Sequence, residues 1–286
     1  YIIPFLISII GYVFMVSMDT SVKLIGDKYP IFQLLFLNSL FSLLPISFFV
    51  IKNHGLVFLK KQNFKFQIVR GFLHAGGFLF VLSGVTKIPL SVVFPVLFSS
   101  PLILLVLSHF FLKDNINSIR VIALIIGFTG IIISSEPFGT NSISFLGVFE
   151  VFIGAVFIAI TNLITRKYEH LASSYETSFF SMFISVLIFF LIMSSNFILM
   201  PLNDIIISVI GGLCAGFGVS AIIFGARTLP ASIFGTTSYF QLAYGVILGW
   251  LFFNQLPTNE NLLGILFVII AGGILFFFDK QSKISP

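Results

Sequence analysis

Apolar runs of about twenty residues follow one another along almost the whole chain, separated only by short polar connectors. A helix of about 20 residues crosses the hydrocarbon of a bilayer, and there every backbone N–H and C=O must be satisfied within the segment itself. The runs fall at 2–22, 31–51, 68–86, 90–112, 119–135, 143–164, 176–194, 205–226, 231–253 and 261–278. They predict an all-α integral membrane protein with ten transmembrane helices. A transmembrane barrel would instead show alternating segments of about ten residues, which this chain lacks. Composition removes the soluble alternatives: 58% of residues are hydrophobic and 9% charged, against about a quarter charged in soluble domains.

The first run is too long and too uninterrupted for a cleaved signal peptide, and no small-residue cleavage site follows it. The formal charge of +5 comes from connectors between runs and forms no single stripe, so nucleic acid is not an expected partner. One cysteine, Cys214, excludes an internal disulfide and gives no basis for a thiolate metal site.

Orientation is read from Lys and Arg in the connectors, which concentrate on the cytoplasmic side. With the N-terminus inside, the inner connectors hold Lys52, Lys60, Lys61, Lys65, Arg70, Lys113, Arg120, Arg166, Lys167, Arg227, Lys280 and Lys283. The outer ones hold Lys23, Lys28 and Lys87. This asymmetry predicts both termini inside.

Two breaks in the apolar sequence resemble each other. Thr86-Lys87-Ile88-Pro89-Leu90-Ser91 and Arg227-Thr228-Leu229-Pro230-Ala231-Ser232 each follow a glycine-rich run, and their prolines stand 141 positions apart. A repeat of half the chain length reads as internal duplication. The expected halves are 1–138 and 139–286, with five spans each. Since five is odd, the second half runs opposite to the first. Inverted repeats of this kind mark many secondary transporters, which exchange inward-open and outward-open shapes around a midplane site. Gly212 and Gly216, Gly245 and Gly249, and the cluster Gly76, Gly77 and Gly84 let helix backbones approach closely, placing spans three, eight and nine centrally.

On these features the chain resembles the drug/metabolite transporter superfamily, in its ten-helix branch with paired EamA-type repeats. The resemblance is carried by Tyr29-Pro30-Ile31-Phe32-Gln33, Leu40-Phe41-Ser42-Leu43-Leu44-Pro45, Arg70-Gly71, Ser100-Pro101-Leu102 and Leu248-Gly249-Trp250-Leu251-Phe252-Phe253, in that order. It implies transport of small metabolites by alternating access without ATP; similar members include amino-acid exporters and S-adenosylmethionine importers. The chain departs from the family pattern at Asn38, where an Arg is frequent, and at Ser238, where an Asp is typical. It also departs at Lys113-Asp114 and Asn254-Gln255, where Gly-Glu usually ends spans four and nine.

Ionisable groups inside a span are costly and point to function. Asp19 lies late in span one with Lys23 one turn on, so it is either a substrate counter-ion or half of an interfacial i,i+4 pair. Glu150, about two turns into span six, is a candidate proton carrier or a solvated surface acid. His74 can relay protons or bond a substrate, or simply bond a neighbour within the bundle. Span nine carries Ser238, Tyr239, Gln241 and Tyr244, and Asn38 and Asn162 add neutral polar positions in spans two and six. Together these suit an apolar pocket with a few convergent polar groups, the alternative being interhelical hydrogen bonds. Pro89, Pro95, Pro101 and Pro230 are the expected hinge or gate positions, because proline removes a backbone donor and favours a kink.

There is no P-loop, no nucleophile elbow and no His-Glu-x-x-His run, so no enzyme is expected. The expected function is secondary active transport of a small organic zwitterion or cation, an amino acid or relative first and S-adenosylmethionine second, across a bacterial cytoplasmic membrane. A channel or an intramembrane enzyme are the readings from other classes. No cofactor or metal is implied. The implied partners are a small-molecule metabolite and the lipid bilayer, with oligomeric state left open, a monomer included.

Overall fold

The computed structural model describes residues 2–59, 63–113, 118–135, 143–168, 171–194, 196–229, 234 and 236–282, with side chains to 275. Among them there is no strand. The helices are α1 (Ile2–Ile25), α2 (Ile31–His54), α3 (Phe64–Lys87), α4 (Leu90–Leu97), α5 (Ser99–Leu112), α6 (Ser118–Ser134), α7 (Phe145–Lys167), α8 (Ser174–Met193), α9 (Leu202–Thr228), α10 (Phe240–Phe253) and α11 (Asn259–Ser282). With α4 and α5 taken as one run, seven described helices are long and apolar enough to cross a membrane, and α6, α10 and the described part of α11 are shorter apolar helices. The chain is a multi-pass membrane protein.

Local chemistry sets the boundaries. Pro30, Pro89 and Pro201 stand in extended backbone immediately before α2, α4 and α9. There the missing N–H costs nothing, since the first helical donors are unpaired anyway. Ser173 and Glu176 form a reciprocal cap at the start of α8. At the other ends, α5 and α10 close on Lys113 and Asn254 in the left-handed conformation, at φ 60° and 51°. These two caps are again 141 positions apart.

The break between α4 and α5 follows from two prolines. Pro101 clashes with the carbonyl four residues before it, that of Leu97, and the helix is interrupted at Phe98. Pro95 removes a further donor within α4. The tenth helix is broken at the corresponding level without proline, since a turn at Ser238 and Tyr239 precedes α10.

Glycines then set which helices pair. A Cβ at Gly84 of α3 would lie 2.7 Å from the Gly147 carbonyl oxygen of α7, and one at Gly154 would lie 3.2 Å from that of Gly77. Across the bundle, a Cβ at Gly218 of α9 would lie 2.9 Å from the Gly11 carbonyl oxygen of α1, and Gly225 faces Ser8. Both contacts are antiparallel. Gly77 and Gly84 stand 141 positions before Gly218 and Gly225, so the same two glycines bring α3 to α7 and α9 to α1. Close backbone approach of this kind replaces the hydrophobic drive that lipid cannot supply.

The main core gathers at the end of the bundle that holds Pro89. Leu90, Val92, Val93 and Phe94 of α4 are 0% exposed, packed with Val22, Ile25, Leu35, Val85 and Val151. Gln33 clamps the connector between α8 and α9 there, donating to the Ile198 carbonyl at 2.7 Å and accepting from its N–H at 3.0 Å. Asn261 accepts from Ser91 at 3.1 Å and donates to the Ser134 carbonyl at 2.8 Å, tying α4 to α11 and α6. A smaller cluster of Val50, Phe58, Tyr175, Phe180 and Ile223 closes one flank of the opposite end. There α5 is only partly buried from Ile103 to Leu107. One end is therefore sealed and the other is looser.

Candidate functional site

Residues 12, 16, 19 and 23 of α1 recur at helical spacing and share a face. Its direction is set by Lys23, whose ammonium donates to the carbonyls of Val85 and Ile88, at 2.8 and 2.5 Å, where α3 ends. Cations favour such orphan helix-end carbonyls. The anticipated pair of Lys23 with Asp19 is consequently not made. Asp19, one turn below, is 4% exposed and has no hydrogen bond or ion pair among the described residues. Tyr12 lies two turns below on the same face and is partly buried. Ser21, turned away from Asp19, and Gly11 pack against Gly211 and Gly218 of α9, and Ser8, on the Asp19 side, meets Gly225 of the same helix.

Asn38 of α2 is 2% exposed, and both atoms of its amide are without a partner among the described residues. It sits where α1, α2 and α9 meet: a Cβ at Gly211 would lie 3.4 Å from Asn38 Nδ2 and 2.9 Å from Ser21 Cβ. Asn38 therefore approaches the Ser21 side of α1, which a turn of about 200° separates from the Asp19 side. The buried acid and the buried amide belong to different faces of one helix.

His74 is held within the bundle. Its Nδ1 lies 3.3 Å from Ser185 Oγ of α8, and its ring stacks on Phe78 at 5.9 Å. One turn earlier, Arg70 donates to Thr165 Oγ1 at 2.8 Å, to the Thr177 carbonyl at 2.8 Å and to Ser181 Oγ at 2.5 Å. The guanidinium thus ties α3 to α7 and α8. In sequence Arg70 counts as a connector cation at the opening of span three, and its ties to two other helices went unread; their signal was a cation two turns inside an apolar helix.

In the ninth run, Tyr239 stacks on Phe98, with centroids 5.5 Å apart and planes 18° from parallel. The two stand 141 positions apart and occupy the interruptions of the two broken helices. A Cβ at Gly272 of α11 would lie 2.7 Å from Tyr239 Cζ, so the phenol reaches toward α11. Phe94 fills the space above Gly245, and a Cβ at Gly249 would lie 3.7 Å from Leu90 Cβ. Ser238, Gln241 and Tyr244 are partly buried. Thr161 and Ser220 spend their hydroxyls on carbonyls of their own helices, and Asn162 is exposed on α7. Pro230 lies outside the described residues, whereas Pro89 starts α4 and Pro95 and Pro101 flank its interruption.

Glu150 is not solitary. It accepts from Lys87 Nζ at 2.5 Å, which places it in an ion pair at the sealed end. A second polar cluster lies at this end, where Tyr29 donates to Asp204 at 2.7 Å and Lys28 pairs with the same carboxylate at 3.3 Å. That hydrogen bond to a carboxylate holds the Tyr29 phenol above its ordinary pKa.

Three comparisons bear on what such a bundle is. The EamA-like transporter family matches residues 2–136 and again 145–278. An S-adenosylmethionine uptake transporter of Rickettsia bellii is 23% identical over 268 residues, covering 92% of this chain and 90% of that one. The pseudopaline exporter CntI of Pseudomonas aeruginosa is 23% identical over 261 residues, covering 89% of each. A solved crystal structure, 12% identical, superposes with a TM-score of 0.69 over 97% of this chain and 98% of its own, which shows a shared fold.

Proposed function

We propose that this chain, which belongs to the EamA-like transporter family, moves a small metabolite bearing a positive charge across the cell membrane, with Asp19 as its counter-ion. The observation that carries this is Asp19 itself. A buried carboxyl without a partner is costly in a membrane bundle and persists where a ligand completes it. An amino acid or related zwitterion or cation supplies the missing charge. Tyr12, on the same face of α1, supplies a phenol toward an organic body. His74, Gln241 and Tyr244 are the further polar groups assigned to the pocket in this reading, and Asn38, Asn162, Ser238 and Tyr239 its outlying ones.

The cycle we assign is alternating access by ten spans in two inverted halves, 1–138 and 139–286, with both termini inside. The 141-residue offset shared by the packing glycines, the helix caps and the Phe98–Tyr239 stack supports it. On this reading the stack lies at the pseudo-two-fold axis. At the sealed end Phe94 meets Gly245 and Leu90 meets Gly249. Exchanging the halves gives Leu104 and Ser108 of α5 the places of Gly245 and Gly249, which would seal the opposite end. Lys and Arg asymmetry makes the sealed end the outer one, so the form described is open inward.

S-adenosylmethionine is the narrower second reading, favoured by the likeness to a protein named for its uptake. The test is thermal stability of the purified protein with lysine, leucine, glutamate and S-adenosylmethionine, since a ligand that binds the native state raises Tm. Shifts are expected for ligands with an ammonium or sulfonium centre, and largest where net charge is positive. Stabilisation by glutamate alone would remove the counter-ion reading.

A further inference from the structure

A cavity of about 670 Å³ lies apart from the acid of α1, between the start of α3, the end of α5 and the end of α7. Its walls are oily: Phe66, Val69, Leu107, Phe111, Leu163 and Ile164 are among the residues that line it. Val69 and Phe111 are more than half exposed, so the cavity is a groove open on the flank of the bundle. Its polar residues are gathered at one end. Asn63 and Lys65 come from the start of α3, and Lys167 and Tyr168 from the end of α7.

The glycine register fixes these levels. Gly84 beside Gly147 and Gly77 beside Gly154 are antiparallel contacts, and continuing them down the pair brings Lys65 level with Arg166 and Lys167. Both lysines are exposed at the membrane boundary, on the side richer in basic residues. Lys167 also lies 5.8 Å from the Tyr168 ring centroid. Among the described residues, no acidic one lines the groove.

From this juxtaposition we propose that the groove is a binding site for an anionic phospholipid. The phosphate sits between Lys65 and Lys167, and an acyl chain lies along Phe66, Leu107 and Leu163. A volume of this size is in the range of small-molecule sites, and basic pockets between helices at the cytoplasmic face hold anionic headgroups. A positively charged metabolite is the wrong ligand here, because the two lysines repel it. A soluble anion is also wrong, because nearly the whole wall is apolar.

The probe is phosphatidylglycerol, titrated against phosphatidylcholine on the detergent-purified protein and read by native mass spectrometry. Phosphatidylglycerol is expected to be retained over phosphatidylcholine. Each Lys→Gln change, at Lys65 or Lys167, is expected to weaken it about fivefold, as for one basic residue near a membrane surface. Leu107→Trp, which fills the groove and leaves both cations in place, should lower retention of both lipids. Equal retention of the two lipids by the native chain would overturn the proposal. So would undiminished phosphatidylglycerol binding in either the double lysine variant or Leu107→Trp. Displacement by millimolar inorganic phosphate would overturn it too, since the groove would then hold an anion without needing a chain.

Discussion

Replacing Asp19 with asparagine keeps the size of the side chain and removes the charge, so it separates a functional acid from a structural one. Asp19 is 4% exposed and has no partner among the described residues. A buried polar group left unpaired costs about 1–3 kcal/mol, and a charged one more. The amide put there by Asp19→Asn would still lack partners, but the extra cost of the charge would be gone. We therefore expect Asp19→Asn to stabilise the ligand-free protein by about 2 kcal/mol, which at about 2–4 °C per kcal/mol raises Tm by about 4–8 °C. The same change should abolish the Tm shift given by cationic ligands, and with it their uptake into proteoliposomes. A stabilised, inactive variant is the signature of an acid kept for its ligand. The reasoning fails if Asp19→Asn lowers Tm, because the carboxylate would then be holding the bundle together. It fails equally if the variant keeps the ligand-induced shift.

Two further outcomes follow from residues placed by the fold. An L-residue in the left-handed conformation costs about 1–2 kcal/mol, while glycine loses about 0.5–1 kcal/mol of chain entropy. Lys113→Gly at the end of α5 should therefore gain about 0.5–1 kcal/mol, seen as a Tm increase of about 1–4 °C, and Asn254→Gly should gain less because Asn tolerates this region. Unchanged or lowered Tm in both would mean that the cap geometry is not strained. Because Glu150 is paired with Lys87, Glu150→Gln should leave pH-driven accumulation in proteoliposomes within about twofold of the native rate, as expected for a partly exposed pair. Loss of accumulation with binding intact would restore Glu150 as the proton carrier.

The spans were legible because the bilayer fixes their length, and a run of apolar residues has few other uses. The interruption at Phe98 was legible from Pro95 and Pro101, which remove donors and collide with the preceding turn. The pairing of α3 with α7 was only half legible. Gly76, Gly77 and Gly84 stood out as one concentration, but their partners Gly147 and Gly154 are spread along another span without a cluster. Facing was not legible at all, and the reason is physical. In a soluble helix the apolar stripe marks the buried side. In a membrane helix the lipid side is as apolar as the core, so Leu44 and Phe48, both 61% exposed, and the fully buried Leu35 and Ile46 look alike in sequence.

The same loss of contrast governs the candidate site. Only polar residues could reveal a face, and their partners come from distant spans: Arg70 bonds to Thr165 and Ser181, 95 and 111 positions on. Tyr239 is read as a pocket residue because it is a phenol among hydroxyls; its stacking on its repeat equivalent Phe98 and its reach toward α11 could not be read from its own span. Asp19 looked like a partner for Lys23 because i,i+4 spacing permits the pair. Spacing permits but does not compel, and the carbonyls at the end of α3 offered Lys23 the better bond. That competition leaves Asp19 unpaired, and it could not be read from α1 alone. That Asp19 has no partner among the described residues is a property of α1 and α3 together, which is where a ligand's charge would have to enter.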